Sequence, residues 1–421
     1  MHENPTPQQI LEHMLSAMTQ RKTHLPDRSE NIFFILSAIW MSGFFLLPFE
    51  KLHQQLFHIC FTLPGVWILL KNRFNAGIPP SGILFSSMAY GACYIISQAW
   101  TPPDSTVDHL SEIKRVIYLF MFWITLNYWM KTSPEKMASL AKVLTVTALA
   151  GIVANGIIFY GIEGHGLADR FVSAGKLWNA LWSGAAYGAL AILIFGLMNW
   201  RDADLTKKEK ILYSLAFLIF SAATILTHSR GPIGAMFFTC TIIFLTCKTN
   251  TKRKVAILAA ATILLLALLY ASYDYFQASI ERGQSYRLEL WQGFLERARE
   301  HPIFGFGAGT QVFIHAPGEL VDGWTHYHSV YVGSLVELGI TGLLLHLALC
   351  CIVIRTGWKH RHDLHARIAL ILFIYTMIIG TTFGQGIITR QNVQWVLFWL
   401  PVIILATFPR TTRAEDESPR H

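Results

Sequence analysis

Charge is what this chain has least of. Of its 421 residues only 14% are Asp, Glu, Lys or Arg, while 53% are hydrophobic; a soluble chain carries about a quarter charged residues. The shortage runs along the whole length, which excludes an ordinary soluble domain and points to a polytopic membrane protein. Cysteine in useful places is also lacking. Cys60, Cys93, Cys240, Cys247, Cys350 and Cys351 all fall inside apolar runs, where a thiol behaves as a small hydrophobe. With no CxxC or Cys/His ligand spacing, neither a disulfide framework nor a zinc site is expected. The first 30 residues lack the apolar core of a cleavable signal; one weakly amphipathic piece, QQILEHMLSAM, suits a membrane surface. The net charge of +8 sits in short clusters between apolar runs rather than in one stripe, so nucleic acid is not an expected partner.

What is present is a succession of about twelve segments of roughly 20 mostly apolar residues. They lie near 31–48, 52–70, 80–100, 114–130, 138–160, 178–199, 211–227, 232–247, 254–272, 328–354, 366–384 and 391–408. Lys and Arg gather on alternate loops, among them Lys71 and Arg73, Lys207, Lys208 and Lys210, Lys252 to Lys254, and Arg355, Lys359 and Arg361. The positive-inside rule makes that side cytoplasmic, with both termini on it. The expected class is an all-α polytopic membrane protein in the bacterial inner membrane. Its expected layout is a cytoplasmic segment 1–30, spans 1–9 over 31–272, a large periplasmic loop 273–327, spans 10–12 over 328–408 and a cytoplasmic tail 409–421. Within the large loop, YRLELWQGFLERARE sets Leu288, Trp291, Leu295 and Ala298 at helical spacing, the pattern of an amphipathic helix. The glycines of HPIFGFGAGT either form a tight turn or let backbone N–H groups approach a ligand.

The exceptional polar residues fall on the outward face. Arg230, in the short turn THSRG, breaks the charge rule and stands at a helix start, where a guanidinium grips phosphate well. Arg287 opens the amphipathic segment, and Arg170 lies in the loop GLADRFVSAGKLWNA with Lys176 and Asn179; a solvated loop cation is an equal reading of Arg170. In THYHSVYVGSLVELGITG, His326 and His328 stand two apart. Residues at that spacing point roughly opposite ways, so the two are not expected to share one task. His328, in the first helical turn, is expected to be held neutral by the helix dipole, as a general base at neutral pH must be. Glu337 is nine residues further, about 13 Å along a helix, and rotated to nearly the opposite face. It is expected to be structural, paired with a neighbouring span.

Taken in order, THSRG, then YRLELWQGFLERAREHPIFGFGAGTQVF, then THYHSVYVGSLVELGITG resemble the shared core of bacterial O-antigen ligases and O-antigen polymerases, over about residues 210–345. The resemblance implies a membrane glycosyltransferase of lipopolysaccharide biosynthesis. Its donor would be O-antigen on undecaprenyl pyrophosphate and its acceptor, for a ligase, lipid A–core, with membrane lipids around it. It implies His328 as the catalytic base, Arg230, Arg287 and Arg170 as pyrophosphate-binding residues, and His326 and Tyr286 as secondary ones. Many members carry Asn where this chain has Ser329. No Asp-x-Asp or similar acidic pair occurs in the outward loops, so no metal and no cofactor is expected. The length and twelve-span pattern favour a ligase; a polymerase is the alternative, and a lipid or polysaccharide transporter the alternative from another class.

Overall fold

The computed structural model describes residues 28–102, 107–200, 205–247, 287–314 and 325–408. The surface piece at the N-terminus, the span 254–272, residues 273–286 (with Tyr286) and 315–324 of the large loop, and the tail 409–421 lie outside the described residues. Every regular element among the described residues is helical: α1 Arg28–Leu46, α2 Glu50–Phe57, α3 Leu63–Lys71, α4 Gly82–Ile96, α5 His109–Thr132, α6 Lys136–Gly156, α7 Ala180–Trp200, α8 Lys207–Leu226, α9 Arg230–Thr246, α10 Arg287–Ala298, α11 Val330–Lys359, α12 Leu364–Gly380 and α13 Leu400–Thr407. Wide π turns join α2 to α3 over His58–Thr62 and lead into α13 over Trp395–Trp399. Each expected span outside 254–272 coincides with described helix. Five of the helices, Arg28–Leu46, Lys136–Ile162, Ala180–Trp200, Lys207–Leu226 and Val330–Lys359, are long and apolar enough to cross a membrane.

Local chemistry sets the ends. Thr206 and Glu209 form a reciprocal capping box at the start of α8, and Asp108 and Asp363 cap α5 and α12, each supplying an acceptor to amides that have no intrahelical partner. On α8, Ile211, Leu215 and Leu218 recur at helical spacing and are exposed, while Tyr213, Ala216 and Phe220 are buried. A helix apolar on both faces belongs between protein and lipid. Near the middle of the bundle, α7 packs on α8, α9 and α12. Its run Gly184 to Ala191 is mostly small residues, which lets neighbouring backbones approach closely; Tyr375 of α12 crosses there and donates to the Ala185 carbonyl at 3.0 Å.

The most consequential departure from regular helix is in α11. At Gly339 the backbone leaves the helical region (φ 64°, ψ −165°), so the bonds from Ile340 and Thr341 back to Val336 and Glu337 cannot form. The segment 302–307 takes both halves of each lost pair. Ile340 N–H donates to Pro302 O (2.9 Å) and Thr341 N–H to Ile303 O (3.2 Å), while Phe306 N–H donates to Val336 O (3.0 Å) and Gly307 N–H to Glu337 O (2.9 Å). Every backbone group freed by the break is satisfied again. A Cβ on Gly305 or Gly339 would run into the opposing backbone, so the close crossing itself demands glycine at both. Gly305 and Gly307 therefore serve a backbone joint in α11, and this joint fixes where the front of α11 begins.

Helix α10 lies over that front. Its buried face is Leu290, Phe294 and Ala298, with Leu288 and Leu295 exposed; the apolar face is shifted from the one expected, which began at Leu288. Phe294 sets the phase, because its ring meets Tyr327 edge-on at 4.8 Å.

Candidate functional site

The strand-like stretch 325–329 is clamped between α10 and the segment after it. Trp291 Nε1 donates to the Tyr327 carbonyl (3.0 Å), and the Tyr327 hydroxyl donates to Thr310 O (3.2 Å). Burying Tyr327 turns its two neighbours the other way, and His328 then adopts φ 50°, a left-handed conformation uncommon for a residue with a Cβ. That turn brings the two imidazoles together. Their ring centres are 4.2 Å apart, and the His328 backbone N–H donates to His326 Nδ1 at 3.0 Å. The expectation that the histidines face opposite ways fails here, because it assumed regular backbone and His328 is not regular. Ser329 is the N-cap of α11, its hydroxyl accepting from Val332 N–H (3.4 Å), so His328 stands just outside the helix.

The same position changes the reason His328 is neutral. Its pKa is pushed down to about 4, first by burial, then by the adjacent His326 and by the positive charge of Arg287. His326 is lowered too, by burial and by Arg287.

The three arginines come to this place from separate elements. Described helix α10 begins at Arg287, whose guanidinium is held below its usual range by burial and by repulsion from Arg170 and Arg230. Arg230 is the exposed first residue of α9. Arg170 reaches the turn before it, donating from Nε to Thr227 O (3.3 Å) and from its terminal nitrogen to Ser229 Oγ (3.2 Å), while Phe171 N–H donates to Leu226 O (2.9 Å). Arg170 thus stitches the turn that carries Arg230. Lys176 of the same loop turns inward to Glu50 at 3.4 Å, away from the arginines. Cations held near one another and near two neutral imidazoles leave a region with strong attraction for an anion.

Beyond the histidines lies a polar cavity of about 490 Å³, with His326 in its wall together with Glu112, Arg115, Gln311, Glu337 and Arg390. Glu337 accepts from the Gly309 N–H; it lines the cavity beside His326 instead of facing away from the site. Sequence reading missed Arg115 and Arg390. Arg390 carried a usable signal, since like Arg230 it lies in a short stretch between two expected spans.

Residues 215–347 match a family model described as O-antigen ligase; the match takes in Arg230, Arg287, His326 and His328. Over 394 residues the chain is 26% identical to an O-antigen ligase of Pseudomonas aeruginosa, covering 91% of this chain and 94% of that protein. The resemblance read from the three motifs is therefore shown.

Proposed function

We propose that this chain, with an O-antigen ligase region across residues 215–347, transfers O-antigen from undecaprenyl pyrophosphate to a sugar hydroxyl of lipid A–core. The reaction takes place on the periplasmic face of the inner membrane, in a bundle of about twelve spans with both termini cytoplasmic. The observation that carries the reading is a geometry: the imidazoles of His326 and His328 lie 4.2 Å apart, Arg170 braces the turn that begins α9 at Arg230, and the charge of Arg287 acts on both groups.

The chemistry follows from that convergence. The acceptor hydroxyl attacks the anomeric carbon as the bond from that carbon to the pyrophosphate oxygen breaks, and the leaving group departs with the electron pair. Arg287 and Arg230 stabilise the charge gathering on the pyrophosphate, and being fixed in advance they need no reorganisation as it develops. Arg170 holds the turn that presents Arg230. His328 takes the hydroxyl proton and later returns it to solvent. A single direct displacement inverts the anomeric configuration. Guanidinium groups carry the charge that a metal would otherwise neutralise, so the transfer runs without one. Binding the pyrophosphate offsets the positive field of Arg287 and raises the basicity of His328 when the donor is in place.

The test is expression of this chain in a strain that makes O-antigen but has no ligase. Long polymer attached to lipid A–core supports the reading, and polymer left on its lipid carrier contradicts it. Extension of single O-units, without ligation, would make the chain a polymerase. Transfer that is lost with chelator and restored by Mg²⁺ would overturn metal independence.

A further inference from the structure

The polar cavity next to His326 is not explained by the pyrophosphate clamp, since none of Arg170, Arg230 and Arg287 lines it. At about 490 Å³ it falls within the range of small-molecule sites, roughly 300–1,000 Å³. Its wall is assembled from the starts of α5 and α7, the segment 309–311 and the loop 384–392. The groups offered are those that read sugar hydroxyls: the carboxylate of Glu112, the amides of Gln311 and Asn392, the guanidiniums of Arg115 and Arg390, and the indole of Trp182. Tyr94 and Arg115 both donate to Glu112 Oε2, which leaves Oε1 with acceptor capacity, and Arg115 Nε is buried with no hydrogen-bond partner. Trp182 packs edge-on against the exposed Trp178, ring centres 5.8 Å apart, a broad apolar face of the kind a sugar ring covers with its C–H bonds. Ile388 lines both this cavity and an apolar groove of about 430 Å³ between α4 and α5. A ligand spanning both would be a saccharide carried on a lipid.

The geometry points to this cavity as the binding site for the acceptor saccharide, with Trp182 as its platform and Gln311, Asn392, Glu112 and Arg390 as its hydroxyl-reading groups. This inference rests on the transfer reaction proposed above. Inversion requires the nucleophile to enter opposite the leaving group. With the pyrophosphate held by the arginines, the cavity that reaches His326 without them, one ring contact from His328, is the side left for the acceptor. Its carboxylates also disfavour a second pyrophosphate there.

The test uses the full chain in detergent and core oligosaccharide freed of its acyl chains, titrated by calorimetry. The wild type binds it, and Gln311→Ala and Arg390→Gln each weaken binding by about tenfold, the scale of losing one or two good hydrogen bonds. Affinity for undecaprenyl pyrophosphate stays within about twofold in both variants. Gln311 is exposed, so its variant carries little folding risk. The inference is overturned if the wild type does not bind the oligosaccharide, if both variants bind it as wild type does, or if inorganic pyrophosphate displaces it competitively. Transfer activity is not needed for this readout, so failure of the ligase reading in cells is a separate result.

Discussion

At two places the chain passes through a histidine at positive φ, then a serine N-cap, and then begins a helix. His228 (φ 48°) and Ser229 precede α9, and His328 (φ 50°) and Ser329 precede α11. The backbone device is the same, yet the outcomes differ. Ser329 caps its helix through Val332 N–H. Ser229 makes no side-chain cap bond; its hydroxyl accepts from Arg170 and donates to Thr227 O. At α9 the turn delivers an exposed arginine at the positive end of a helix, a combination that favours an anion. At α11 it folds an imidazole back on a second one and keeps it neutral. In the mechanism proposed above, one local geometry thus serves the leaving group at one helix start and the nucleophile at the other.

Removing the two side chains so presented breaks the comparison most sharply. His328→Ala lowers the transfer rate by about 10²–10⁴-fold, the scale of a lost general base, read as ligated product per unit of inserted protein. Arg230→Ala and Arg287→Ala each lower it by about 10²–10³-fold, as loss of a charge-stabilising donor does. Lysine at either position recovers only part of the rate, because an ammonium lacks the planar fork. His326→Ala acts less strongly, about tenfold, since His326 supports the backbone of His328 and is not itself the base.

The pH profile sharpens the same contrast. A base whose pKa is depressed is in its active, neutral form above that pKa and is lost as pH falls through it. In kcat/KM, which reports the free enzyme, the acid limb falls near pH 4, the value of His328. In kcat the limb lies higher, because bound pyrophosphate offsets Arg287. Coincident limbs would show that the arginines do not act on His328 through the donor. The smallest effect is expected from the caps: Ser329→Ala costs about 1 kcal/mol of stability, whereas Ser229→Ala leaves stability nearly unchanged and raises the donor KM a few-fold through the loosened Arg170.

What the sequence disclosed are features that break a pattern within one segment. Arg230 stood out as an outward cation, His328 as a titratable residue at the mouth of an apolar run, and the helices through hydrophobic length. What it hid depends on partners far along the chain or on one dihedral angle. The exchange of backbone bonds between 302–307 and the break at Gly339 leaves no side-chain periodicity to read. The contact of His326 with His328 follows from a single left-handed residue, and the cavity needs the loop 384–392 brought against α5. The face of α10 was misphased because its one decisive contact, Phe294 on Tyr327, comes from another segment.

The central claim is a division of labour between a base and a clamp, and one paired measurement tests it. Purified His328→Ala is titrated with undecaprenyl pyrophosphate and assayed for transfer at saturating donor and acceptor. The account predicts donor affinity within about twofold of wild type with transfer reduced by at least about a hundredfold. Transfer retained near the wild-type rate, or lost together with donor binding, would contradict it.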